Sequence, residues 1–305
     1  MITLNTEKGF VRVDAWSDVA TRPGFIASLD PKKHNLKAII GSYIFPDPIP
    51  CGLSNCHTPH LKGYLVSTEE GMETNIGRVC GKTHFNVEFE ELTRQFDRAL
   101  EVSEYRERLE RFLAQLSVRE ATVKGLRHGP PKALEIFNTI RFLSDPTRGC
   151  PIQVVRHVGA MIKSRTSILE RLRQADESEI AAEEVATRKE LSRPHFVPER
   201  FGQLEGMIAL YEENDIRRLL VNELEEKFKE FRELEIGSLT HASLRSWATW
   251  TDTVDLTIER LRDALDAGKA LSRRRNLEQL LHLFEKQADS SEFRRFLNNL
   301  EAPKA

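Results

Sequence analysis

Three of the four cysteines in this 305-residue chain, Cys51, Cys56 and Cys80, fall within about thirty residues. His57, His60 and His84 share the same window. In a reducing compartment, clustered cysteines more often bind metal than form disulfides, and four are too few for a disulfide scaffold. Cys51-x4-Cys56 followed by Cys80-x3-His84 offers three thiolates and one imidazole, a donor set that suits zinc held in a tetrahedron. His57 and His60 are alternative ligands in place of Cys51 or Cys56. Cys80 and His84 are four residues apart, so at the start of a helix both face one side. The positive helix end is expected to favour thiolate at Cys80. Cys150, between Gly149 and Pro151, reads as a buried or loop thiol.

Several elements must position these groups. Strand composition is evident at Phe10–Val13, Leu36–Phe45 and Gly63–Thr68, and Met72–Val79 returns after the Glu69-Glu70-Gly71 turn. A short helix is expected at Trp16–Ala20. Pro46, Pro48 and Pro50 hold the chain extended up to Cys51. Beyond residue 91 the pattern becomes helical. Leu92, Phe96, Leu100, Leu109, Phe112 and Leu116 recur at mostly three- and four-residue steps. Ile152–Leu191 reads as one long helix or two nearly collinear ones, and Glu199–Ile236 as another. Leu244, Trp247, Thr251, Val254, Ile258, Leu261 and Leu265 form a heptad seam. The expected fold is mainly α: a small α+β zinc module over residues 1–91, then an elongated helical bundle or coiled-coil region over 92–305.

The order of knuckle, hairpin and helix over residues 51 to about 95 resembles a treble-clef zinc finger. That resemblance implies a structural zinc held by Cys51, Cys56, Cys80 and His84, with no catalytic residue. His60, Asn75 and His84 are also spaced like the His-Asn-His set of HNH nucleases, which build on a treble clef. This second resemblance implies His60 activating water and His84 binding a catalytic divalent ion. The chain departs from it in having Pro59 before His60 and Glu88 four residues after His84.

Charge narrows the partners. There are 45 Lys plus Arg against 47 Asp plus Glu, a net charge of -2, which excludes a histone-like polycation and an acidic tail. Within Arg148–Arg173, however, six basic residues face one acid, and a helix carrying Arg156, Lys163 and Arg165 would track a phosphate backbone. Lys62, Arg78 and Lys82 flank the presumptive zinc ligands in the same sense. The expected function is non-enzymatic binding of nucleic acid or a protein–nucleic-acid assembly. The alternatives are a protein-interaction subunit with purely structural zinc and an HNH-like nuclease. The helices are expected to mediate homodimerisation or docking on a protein partner. No apolar run approaches a membrane span, and the first residues lack a secretory pattern, so a cytoplasmic location is expected.

Overall fold

The computed structural model describes residues 2–284 and 286–301. The chain is 59% helical with a small antiparallel sheet, a mainly α organisation. It forms two compact units. One comprises the residues up to Arg111 together with Glu235–Ala248; the other comprises Phe112–Leu234 and the residues from Thr249 on.

The first unit is built on a five-stranded sheet of order β2-β1-β3-β4-β5. Its strands are β1 (Ile2–Thr6), β2 (Gly9–Val13), β3 (Leu36–Pro50), β4 (Pro59–Thr68) and β5 (Glu73–Gly77), with α1 (Trp16–Ala20) between β2 and β3. All neighbours pair antiparallel. The expected Leu36–Phe45 strand runs on to Pro50 because its last residues pair again with β4 after a register shift. β1 was not expected, since five residues are too few to display a period. It is fixed from both sides by pairing with β2 and β3. Leu29, Leu53, Val66, Ile76 and Phe89 fill one core cluster, and Ile2, Tyr43 and Leu65 a second. The helix α2 (Arg78–His128) begins where β5 ends and is kinked at Asn86, whose φ of 47° and ψ of -128° break the helical path. Its first turn lies against Phe89: a Cβ on Gly81 would stand 2.3 Å from the Phe89 ring, so only glycine permits this approach.

The second unit contains the C-terminal part of α2, then α3 (Ala133–Ser144), α4 (Ile152–Ser164), β6 (Ile168–Gln174), α5 (Glu177–Thr187) and β7 (Phe196–Gln203). It continues through a π-helical segment, Arg218–Glu225, into α6 (Glu226–Arg232), and contains most of α7 (His241–Leu271), α8 (Arg274–Glu278) and α9 (Ser291–Glu301). Phe112 packs edge-on against Phe231 and Trp250 at centroid distances of 5.1 and 5.4 Å.

Two expected long helices are not formed. The stretch 152–191 is divided into α4, β6 and α5, and 199–236 opens as strand β7. β6 pairs antiparallel with β7, Leu172 opposite Pro198. A two-stranded ribbon has only edges, so Pro198 breaks no interior ladder. Asp176 then caps α5 in a reciprocal capping box with Glu179, which restarts the helix after the strand. The seam of α7 is buried at Leu244, Val254, Ile258, Leu261 and Leu265, with Trp247 half-buried. No helix among the described residues is long and apolar enough to cross a membrane.

Candidate metal centre

Cys51 follows β3 directly and opens a turn that is pinned from three sides. Its N–H donates to Thr58 O, Gly52 N–H donates to Asn75 O, and Leu29 N–H donates to Gly52 O. Cys56 closes the turn, its N–H donating to Leu53 O. The hairpin of β4 and β5 carries the chain away and back, so Cys80 arrives in the first turn of α2 beside the same turn. The three Sγ atoms lie within 4.8 Å of one another, and Cys56 Sγ is 3.2 Å from Cys80 Sγ. Three cysteines therefore cluster closely enough to hold a metal ion.

The electrostatics of the trio fit a cation. Burial pushes the Cys51 thiol up, and it pushes Cys80 to about 12, with neighbouring Cys56 adding to the rise. Burial thus outweighs the helix end that was expected to ionise Cys80. Cys56, at the rim, is lowered to about 7, chiefly by its hydrogen bond with Thr58 Oγ1 at 3.3 Å. Three thiolates in contact repel one another unless a positive ion sits among them, and a soft divalent metal supplies that charge.

The remaining sequence-selected ligands stand outside the trio. His84 lies one turn beyond Cys80 on α2, half-buried, and does not join the cluster. His57 is exposed, takes a positive φ of 54°, and sets Nδ1 3.3 Å from Cys51 O. His60 is turned inward. Asn75 Nδ2 donates to Tyr43 Oη at 3.1 Å and to Pro50 O at 2.8 Å, and Tyr43 Oη lies 3.0 Å from His60 Nδ1. Tyr43 Oη thus accepts from Asn75 and also meets His60 Nδ1, so the hydroxyl joins the two side chains. His60 Nε2 is buried without a partner, against Gly77, and burial lowers the His60 pKa. His60 and Asn75 are brought together through Tyr43, a residue that no local motif singles out. With Nδ1 engaged and Nε2 out of solvent, His60 offers no free nitrogen to a water molecule.

The basic residues separate into engaged and free. Lys82 pairs with Glu90 at 2.8 Å, and Arg165 pairs with Glu213 at 2.8 Å while lying over the Tyr211 ring. Arg171 and Arg173, part of the same basic run, lie on β6 and pair with Glu199 and Glu179. Arg156 and Lys163 remain exposed on α4, seven residues apart, without an ion-pair partner among the described residues. Lys62 and Arg78 are likewise exposed and unpaired. Gly63 pairs with Gly77, the residues next to Lys62 on β4 and to Arg78 at the start of α2.

No protein-family model, curated protein or solved structure matches this chain.

Proposed function

We propose that this chain is a non-enzymatic nucleic-acid-binding protein whose first unit is held by one zinc ion. Cys51, Cys56 and Cys80 supply three thiolates, and His84, on the same helix face as Cys80, supplies the fourth donor after a change of rotamer. A site closed by four protein donors holds the fold and leaves no position for a reacting water. The observation that carries the binding role is the Lys62–Arg78 pair. Exposed cations without an ion-pair partner are open to an anion such as phosphate. Arg78 stands two residues before Cys80, and neither it nor Lys62 is within ion-pair distance of a carboxylate among the described residues, Glu90 acting on Arg78 only at longer range. A phosphate backbone supplies such an anion, and Arg156 and Lys163 extend the same chemistry to α4.

Elemental analysis of the purified chain, combined with retention on immobilised nucleic acid across a salt series, tests the proposal. One zinc per chain and salt-dependent retention are expected. Zinc without retention at any salt would leave a protein-interaction subunit with a structural zinc. Divalent-dependent nicking of plasmid that is lost in His60→Ala would establish the nuclease reading instead.

A further inference from the structure

Within the second unit, the end of α2, the start of α3 and the residues around Arg217 enclose a pocket of about 550 Å3. Its walls are apolar. Ile216 and Leu220 line it as buried residues and Leu134 and Phe137 as more accessible ones, Leu134 being 65% exposed. Phe137 is half-buried and its ring pairs with no other aromatic ring among the described residues. The rim is basic, with Arg127, His128, Lys132 and Arg217, and no acidic side chain lines the pocket. Arg127 is engaged by Glu225, whereas Lys132 and Arg217 are exposed and have no ion-pair partner among the described residues. Leu220 and Val221 reach the pocket from the π-helical segment Arg218–Glu225. Such i→i+5 turns are rare in proteins and tend to occur at functional sites. A second depression of about 390 Å3 shares Arg127 and His128 and adds Lys124 together with Glu120 and Glu225, so the acid-free lining is confined to the first pocket.

We propose that this pocket takes an unpaired nucleotide of a single-stranded nucleic acid, its base on Phe137 and its phosphates at Lys132 and Arg217. An apolar cavity with a basic, acid-free rim is complementary to a flat apolar body that carries negative charge. Aromatic stacking combined with a cationic track is how proteins hold single strands without reading their sequence. Lys132 and Arg217 give the pocket two unpaired cations, one for the phosphate on each side of a single base, which favours a strand over a free mononucleotide. A duplex does not fit, because its bases are stacked and paired inside. This inference rests on the nucleic-acid reading above and assigns it a site separate from the thiol cluster.

Fluorescence anisotropy tests it on the full chain, with a labelled ten-nucleotide DNA strand, the RNA strand of the same sequence, the DNA duplex, and unlabelled mononucleotide as competitor. Phe137→Ala is expected to weaken single-strand binding about tenfold and to leave duplex binding unchanged. Lys132→Gln with Arg217→Gln, both exposed and so neutral to folding, is expected to lower the salt slope by about two. Circular dichroism of each variant checks the fold; should Phe137→Ala fail to fold, the exposed Lys132/Arg217 variant decides alone. Competition by mononucleotide alone, at concentrations matching strand binding, would overturn the strand assignment. Equal losses on strand and duplex, or single-strand binding unchanged in both variants, would overturn the site while the nucleic-acid reading stands. Absence of binding to every probe by the unaltered chain would remove that reading and this site with it.

Discussion

Cys56 and Cys80 are separated by 24 residues in sequence, yet their sulfur atoms are 3.2 Å apart. This is well beyond the roughly 2.05 Å of a disulfide and near the edge of about 3.8 Å that a tetrahedron with 2.3 Å zinc–sulfur bonds requires. A small outward movement of either side chain admits a metal ion. The hairpin of β4 and β5 produces this meeting, and the pinned turn at Cys51–Cys56 adds the third sulfur.

Removing one sulfur is expected to remove the metal. Cys80→Ser should carry much less than one zinc per chain by elemental analysis, and its first unit should lose protease resistance, because finger-type sites contribute roughly 10–16 kcal/mol of apparent binding. His84→Ala is expected to keep zinc on purification but surrender it to a chelator that leaves the unaltered chain loaded. Stoichiometric zinc in Cys80→Ser would overturn the assignment.

Tyr43 links His60 to Asn75, and its hydroxyl is buried with them. Tyr43→Phe should lower stability by about 1–3 kcal/mol, the cost of leaving buried polar groups without partners. Zinc content should stay at one per chain, since neither His60 nor Asn75 is needed as a ligand. Urea denaturation followed by metal analysis of the same sample separates the two effects; loss of zinc in this variant would make His60 a ligand.

Cys150 is buried, and burial pushes its thiol up to about 12. In the unfolded chain it ionises at about 8.5. Between these values the unfolded state releases a proton that the folded state keeps, so stability falls as pH rises from about 9 towards 12 and is unaffected by this group below that window. Denaturation midpoints at pH 8 and pH 10 should show the decline, and Cys150→Ala should reduce it by the share of this one thiol. The native thiol should resist alkylation at pH 8 and react only in denaturant.

Arg156 and Lys163 are the unpaired basic residues of α4. Reversing both to Glu should weaken retention on nucleic acid and lower the salt slope by about two. The same change at Arg165, already paired with Glu213, should disturb the local fold more than the salt slope. A salt titration of both variants checks this; an unchanged slope in the Arg156/Lys163 pair would remove α4 from the interface.

The zinc-type donor set, the hairpin between Cys56 and Cys80, and the helix after Cys80 were legible because each is a local signal. Residue type, turn chemistry and short-range period suffice to see them. The convergence of Cys51, Cys56 and Cys80 agrees with that reading, whereas the ionisation of Cys80 does not, because burial is a property of the packed chain and not of the helix end. The α7 seam was legible for the same local reason, and its buried positions follow the heptad steps. The segments 168–174 and 199–203 read as helix because so few apolar positions fit a helical period as well as a strand. Only their pairing with each other, across more than twenty intervening residues, selected the ribbon. The Tyr43 bridge and the basic-rimmed pocket around Phe137 left no trace in sequence at all. Each joins residues far apart in the chain, and the tertiary structure alone decides which distant groups become neighbours and which charges keep no partner.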